Sequence, residues 1–304
     1  MLMREVTQAS PRRHELAEGP WWHPDTCELT WVDVDRGEVL LGALVGDQIE
    51  LLDVVAVDER TVGAAIGAAD GGRVVLASDH LAYILPGGEV LHAARLLGPT
   101  SRFNDAACDP QGRLLAGTVP LDGSSRAEHL HRIEPDGSLR AVVDGVTISN
   151  GLAWSPDGRT MYYADSKPGV VWAFPYGADG SLGSPTPVVD VRDSSAPGIP
   201  DGLCVDAEGA LLVAFWGAGE VRRLSPRGEI LTAWAVPAPN TSSVAFVGPL
   251  LDRVVITTAR AELTEAQLER WPGSGLLYLA DTDVPGLPRN PWSGSADVVL
   301  SWMN

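Results

Sequence analysis

The sequence predicts an all-β fold, a six-bladed β-propeller with four-stranded antiparallel blades around a central channel. One short unit recurs along the 304-residue chain, the strands that follow it start at a regular period, and helix signals are sparse. Together those observations fit a ring of small sheets.

The unit is clearest at Asn150-Gly151-Leu152-Ala153-Trp154-Ser155-Pro156-Asp157-Gly158-Arg159. It reads as a short strand, a Pro-Asp-Gly turn and a second strand at 161–164. Pro presets φ, Asp bonds its own backbone, and Gly takes the dihedral that other residues avoid. A second copy is Asn104-Asp105-Ala106-Ala107-Cys108-Asp109-Pro110-Gln111-Gly112-Arg113, and a third is Asp201-Gly202-Leu203-Cys204-Val205-Asp206-Ala207-Glu208-Gly209-Ala210. A looser copy runs from Glu18 to Glu28, and fainter ones occupy 69–73 and 247–253. The strands after the turns start near Glu28, Arg73, Arg113, Arg159, Ala210 and Arg253. That spacing, roughly 40 to 50 residues, is the length of a four-stranded propeller blade.

Hairpins fill the intervals. Residues 37–44 and 48–55 flank Val45-Gly46-Asp47, 81–85 and 89–92 flank Pro86-Gly87-Gly88, and 130–133 and 139–143 flank Glu134-Pro135-Asp136-Gly137. Residues 170–174 pair with a strand near 187–191, and 221–224 and 230–235 flank Ser225-Pro226-Arg227-Gly228. Turn residues at each tip support the pairing. The best helix is 261–270, a loop decoration with Thr264 as a candidate N-cap. Six such blades account for residues 1–304 as one propeller domain. An open sheet edge invites aggregation, so the terminal segments 4–8 and 298–302 are the candidate strands for closing the ring.

Composition narrows the partners. Apolar residues make up 45% of the chain, enough for a full core, and the formal net charge is −18. An acidic surface repels phosphate backbones and argues against nucleic acid. Residues 1–14 lack an apolar h-region, and no apolar run approaches the length of a membrane helix. The expectation is a soluble cytoplasmic protein, a monomer or homodimer, without a membrane partner. Cys27, Cys108 and Cys204 make an odd count with no close pair, which fits a reducing compartment; Cys108 and Cys204 read as small core residues. The ten tryptophans mostly fall in repeat strands and read as packing between blades, with Trp216, at the end of an inner strand, as the exception.

Each clear copy of the unit opens with a polar side chain able to bind a cation: Glu18, Asn104, Asn150 and Asp201. Repeats arranged around an axis would point all four at one place. Asp33-Val34-Asp35-Arg36-Gly37-Glu38 lacks the twelve-residue pattern of a calcium loop and reads as a hairpin turn. His129 and His131 share a strand face with no third ligand near in sequence, so they read as surface or rim residues. No Gly-x-Ser-x-Gly elbow, His-Glu-x-x-His or Walker loop occurs.

The ordered set Glu18-Gly19-Pro20, Arg102-Phe103-Asn104-Asp105, Gly117-Thr118, Asn150-Gly151-Leu152, Pro200-Asp201-Gly202-Leu203, 241–246 and Gly286-Leu287-Pro288 resembles the regucalcin, gluconolactonase and luciferin-regenerating-enzyme family of six-bladed propellers. The resemblance covers most of the chain. It implies a lactonase with one divalent metal at the channel mouth, held by Glu18, Asn150 and Asp201. It implies substrate contacts from Arg102, from Asn104 adjacent to the metal, and from Asp122, one methylene shorter than the family's usual Glu.

Two carboxylates and one or two amide oxygens form a hard donor set suited to Ca²⁺, Mg²⁺ or Mn²⁺ and able to hold Zn²⁺ or Fe²⁺. Three protein ligands leave open positions for a lactone carbonyl and a water. Asp201 is then the candidate general base, and the substrate a sugar-derived or other small hydroxylated lactone. The alternatives are a non-catalytic propeller that binds a metal or metabolite, and a protein-interaction scaffold.

Overall fold

The computed structural model describes residues 3–58, 60–123, 128–192 and 198–302. Two short strands, β1 (Met3–Arg4) and β2 (Thr7–Gln8), precede six sheets laid down in sequence, each built from its innermost strand outward. The first blade is β3 (Ala17–His23), β4 (Glu28–Asp33), β5 (Glu38–Val45) and β6 (Gln48–Ala56). The second is β7 (Val62–Gly67), β8 (Arg73–Ala77), β9 (His80–Ile84) and β10 (Val90–Arg95). The third is β11 (Ser101–Cys108), β12 (Leu114–Pro120), β13 (Glu128–Ile133) and β14 (Leu139–Val146), and the fourth β15 (Ser149–Trp154), β16 (Thr160–Asp165), β17 (Val170–Pro175) and β18 (Thr186–Asp190). The fifth is β19 (Ile199–Val205), β20 (Leu211–Trp216), β21 (Glu220–Leu224) and β22 (Ile230–Ala235). The sixth has β23 (Thr241–Val247), β24 (Arg253–Thr258) and β25 (Tyr278–Asp281), with α1 (Glu265–Arg270) in the connection before β25. The second strand of every blade starts within a residue of the position its turn predicts.

Burial explains the sequence pattern across a blade. Innermost strands are packed on both faces, so β7 is buried at every position and β23 likewise. They read as unbroken apolar or small-residue runs rather than as alternating ones. Outermost strands face solvent, and β6 is mostly exposed. Apolar clusters fill the space between neighbouring blades; one joins Trp22 and Trp31 to Val247 and Leu279, so it binds the first blade to the last. Each innermost strand lies beside the next, and β23 returns to β3, which closes the ring.

The N-terminal segment completes the sixth blade. β2 pairs antiparallel with β25, Thr7 opposite Leu279 and Gln8 opposite Tyr278. β1 adds to the outer edge of the fifth blade, parallel to β22. The C-terminal segment does not form the expected strand. Residues 298–302 fall instead in and just after a helix, α2 (Ala296–Ser301), against β9 and β10, with Val299 and Trp302 buried. Its apolar run is too short for strand and helix periods to be told apart, and spacing of three residues puts Ala296, Val299 and Trp302 toward one side. The Trp302 carbonyl accepts from the Ala94 amide at 3.1 Å, so the helix end still ties to the second blade.

The expected helix at 261–270 starts later, at Glu265, because Thr264 is its N-cap: the Thr264 side chain accepts from the Gln267 amide, and Gln267 returns a bond to the Thr264 amide in a capping box. Among the described residues no helix is long and apolar enough to cross a membrane. Cys108 and Cys204 are free, buried in the apolar clusters and pushed to high pKa by burial, Cys204 to about 12, so neither thiol is poised as a nucleophile.

Candidate active site

All six innermost strands are bulged near the end where they enter the ring. Register breaks fall between Glu18 and Trp21, Val62 and Ala64, Phe103 and Ala106, Ser149 and Leu152, Pro200 and Leu203, and Thr241 and Ser243. Each break adds one residue to the inner strand. In three of them the extra length includes a predicted site residue: Asn104-Asp105 opposite Gly117, Asn150-Gly151 opposite Ala164, and Asp201-Gly202 opposite Ala214. A bulge bends its strand and re-aims a side chain, and the repeat uses that device at one level of the channel. Small residues let the strands approach. A Cβ on Gly63 would collide with the carbonyl of Asn104, and one on Gly151 with the carbonyl of Asp201.

Arg102, Asn104 and Asn150 form one hydrogen-bonded network, and Glu18 and Asp201 are linked to it by charge, Glu18 through Arg102 and Asp201 through Glu18. Asn104 donates Nδ2 to Asn150 Oδ1 at 2.7 Å and to the Ser149 carbonyl at 2.8 Å. Arg102 Nη1 donates to Asn104 Oδ1 at 2.8 Å and to the Phe103 carbonyl at 2.9 Å. Asn150 Nδ2 donates to Ser166 Oγ at 2.8 Å. Glu18 Oε2 accepts from the Gly19 amide at 2.9 Å, and the Ser243 hydroxyl also bonds this carboxylate. Glu18, Asn150 and Asp201 are buried, while Arg102 and Asn104 are half-buried.

Burial, and then the Asp105 carboxylate, push Glu18 up to about 8, against Arg102 and the bonds from Gly19 and Ser243. Asp201 is held well above the ordinary carboxylate range by burial first and then by the charges of Glu18 and Asp105. Asp105 is itself raised by burial, with the Arg289 charge opposing. Three carboxylates therefore act on one another, and Asp201 Oδ1 is buried with no hydrogen-bond partner. An orphaned carboxylate oxygen among like charges fits a site for a cation. The donor set is all oxygen, so Glu18, Asn150 and Asp201 suit a hard divalent ion.

Asp122 lies in the exposed turn after β12; residues 124–127 of the same loop, and 193–197 of the other rim loop, lie outside the described residues. Arg102 carries the opposing charges of Asp35 and Glu18, and Asp35 comes from the 3-10 turn Val34–Arg36 between β4 and β5. Asp35, Asp105 and Ser243 were not among the predicted site residues. Asp105 follows Asn104 directly, and the bulge that brings both toward the channel has no signature in side-chain type.

Other candidates are accounted for. Asp58, Asp79 and His80 offer ligand atoms within 4.8 Å of one another, but Asp79 is already balanced by Arg60 at 2.8 Å and Arg95 at 2.9 Å. Asp33 accepts from the Glu15 and Leu16 amides at 3.1 Å each, as a turn residue does. His129 sits on β13 and bonds Asp144 at 2.9 Å. Trp216 ends β20 opposite Ile199, at the same mouth as Asp201, and is half-buried.

Comparison with known proteins agrees with this architecture. The SMP-30/Gluconolactonase/LRE-like region matches residues 16–260. A pentonolactonase, XacC, from Haloferax volcanii is 30% identical over 292 residues, covering 93% of this chain and 96% of its own length. Regucalcin from Danio rerio is 31% identical over 289 residues, covering 93% and 96%. The solved structure of a calcium-binding protein, regucalcin from Agrobacterium tumefaciens, superposes with a TM-score of 0.86 at 25% identity and covers 96% of this chain and all of its own. With its ring of six blades and its polar inner-strand residues in the expected order, the chain belongs to the SMP-30/gluconolactonase/LRE-like family.

Proposed function

We propose that the protein is a divalent-metal-dependent lactonase acting on a sugar-derived or other small hydroxylated lactone. The observation that carries the reading is the Asp201 carboxylate, buried beside Glu18 and Asp105 with one oxygen unpartnered. Lactonase relatives such as the pentonolactonase support the substrate class.

Glu18, Asn150 and Asp201 would hold the ion, which supplies Lewis acidity toward a lactone carbonyl and eases deprotonation of water. Asp201 takes the proton from the attacking water and returns it to the leaving alkoxide as the ring opens. Arg102 faces the charge that develops on the carbonyl oxygen. Both amide hydrogens of Asn104 are committed within the protein, so it acts as a positioning residue that fixes the Asn150 carboxamide and the Arg102 guanidinium. Asp122 contacts substrate hydroxyls from the rim. The protein works as a monomer or homodimer in the cytoplasm.

Hydrolysis of a panel of aldonolactones before and after chelation tests the proposal. Activity lost with chelator and restored by one divalent ion is the expected result. Equal rates in both conditions would remove the metal from the mechanism, and metal binding without turnover on any lactone would favour a non-catalytic metal- or metabolite-binding propeller.

A further inference from the structure

The innermost strands run from the polar level down to a second mouth at the other end of the channel. Trp22, Trp154 and Val205 lie four residues beyond Glu18, Asn150 and Asp201, about 13 Å along an extended strand. There a cavity of about 500 Å³ opens, and neither Glu18, Asn150 nor Asp201 lines it.

One wall is a strap, residues 282–292, pinned at both ends. Gly286 bridges Asp206 of the fifth blade and donates its amide to Leu251 of the sixth at 2.8 Å. Trp292 bridges Ala68 of the second blade and donates to the Gly67 carbonyl at 2.8 Å. The strap thus crosses the lower mouth, and Leu287 and Arg289 line the cavity from it. Much of the remaining wall is apolar, with Trp21, Trp22, Leu152, Trp154 and Phe246, beside the polar Ser155, Asp157 and Asn290.

Arg289 brings a cation to that wall. It is half-buried, its guanidinium carbon lies 5.8 Å from the centre of a Trp21 ring, and Nη1 donates to the Pro20 carbonyl at 3.0 Å. Among the described residues it makes no ion pair. Asp157, also in the lining, is turned into its own hairpin, accepting from Ser155 Oγ at 2.6 Å and the Arg159 amide at 3.1 Å. The Arg289 charge acts on the buried Asp105 of the polar level without an ion pair between them, so a guanidinium at the edge of a largely apolar cavity still has its cavity side open to an anion. The aromatic part of the wall calls for an apolar body. The cavity volume suits a small ligand.

We propose that the lower mouth is a second binding site, lined by residues other than Glu18, Asn150 and Asp201, for a small amphipathic carboxylate such as a medium-chain fatty acid or an aryl-alkanoate, its carboxylate on Arg289 and its apolar part against Trp21, Trp22 and Trp154. The chain's net charge of −18 repels anions in general, so binding there depends on Arg289.

Calorimetry and tryptophan fluorescence with sodium octanoate, using 1-octanol as the neutral probe, test this on the full chain. The expected result is saturable binding of one octanoate per chain, at least tenfold tighter than octanol. Arg289→Met weakens octanoate at least tenfold and leaves octanol within twofold. Leu287→Glu, at an exposed strap position, abolishes octanoate binding without lowering thermal stability, and so keeps the test open should Arg289→Met fail to fold. Asp201→Ala binds octanoate as the parent does. No saturable binding, equal affinity for octanoate and octanol, or insensitivity to both strap substitutions would overturn the proposal. So would loss of binding in Asp201→Ala, which places the ligand in the upper chamber, or a dimer that Leu287→Glu dissociates, which makes this face a self-interface. All readouts are of binding, so they stand whether or not the chain hydrolyses lactones.

Discussion

Asn104 donates its side-chain amide to the Oδ1 of Asn150 at 2.7 Å, joining the third and fourth blades where both inner strands are bulged. The bond fixes which way the Asn150 carboxamide faces. Removing it in Asn104→Ala leaves the candidate ligand in place but free to rotate. Loss of such a supporting partner typically costs 10–100-fold in metal affinity or activity. Titration of the metal-free variant with Ca²⁺, Mn²⁺ and Zn²⁺, beside lactone turnover, measures it. Unchanged affinity for all three ions would show that Asn150 is not held for a metal.

Metal binding and protons should be linked. Glu18 is raised from 4.5 to about 8 without a cation. A carboxyl whose folded pKa lies above its unfolded value favours the folded state most at low pH, and that advantage disappears as pH rises through the folded value. The chelated protein should therefore lose thermal stability between pH 5 and 8. A saturating divalent ion should flatten the dependence, and Glu18→Gln should reduce it without metal, the raised Asp201 and Asp105 keeping the remainder. Scanning calorimetry across that range reads both effects, and a flat profile for the chelated parent contradicts the repulsion among Glu18, Asp105 and Asp201.

Position separates the two predicted acidic side chains with chemical roles. Asp201 is buried and central, whereas Asp122 lies in an exposed turn. Loss of a general base commonly costs 10²–10⁴-fold, so Asp201→Ala should lower kcat by about that factor. Asp122→Ala should raise KM with kcat largely kept, the pattern of a contact made equally in ground and transition states. Steady-state kinetics on one good aldonolactone distinguishes them; a kcat collapse in Asp122→Ala would move the rim residue into the chemistry.

The blade turns were legible because Pro, Asp and Gly at a tip are demanded locally. Second-strand starts such as Arg73 and Arg253 could be placed to within a residue for that reason. The order Glu18, Asn104, Asn150 and Asp201 was legible because each opens a repeat. The bulges were not, since an extra residue is defined by the neighbouring strand's register and not by its own side chain. Asp105 and Asp35 escaped for the same reason: what matters is which charges they meet across blades. Residues 298–302 misled because Val298, Val299 and Leu300 fit a strand or a buried helix equally well, and only packing against β9 and β10 decides.

Acid should weaken the fold through His14. Its Nε2 accepts from Trp31 Nε1 at 3.0 Å and its Nδ1 donates to the Gly275 carbonyl at 2.8 Å, so the buried ring must be neutral. Burial accordingly lowers its pKa below 6.5. A base whose folded pKa is depressed supports the fold fully above the unfolded value, and the support is lost as pH falls below it. His14→Gln removes that titration and should cost about 1–3 kcal/mol at pH 8, where an imperfect partner leaves buried groups unpaired. The stability gap between parent and variant should then narrow from pH 8 to pH 5. Chemical denaturation at the two pH values measures the gap, and a constant difference would mean the ring is not kept neutral.

Ring closure gives the sharpest stability test. β2 is the fourth strand of the sixth blade, while β1 merely extends the already complete fifth. Removing residues 1–4 should therefore change little. Removing residues 1–8 strips the partner from β25, where Tyr278 and Leu279 face the ladder with Gln8 and Thr7. The exposed edge is a template for another chain. The longer truncation should lower Tm, by about 2–4 °C for each kcal/mol lost in a chain of this size class or somewhat less, and scatter light on warming at concentrations where the shorter truncation stays clear. Equal behaviour of the two truncations would mean that the bonds beyond β2, such as Ala9 to the Leu277 carbonyl at 2.8 Å, already close the ring on their own.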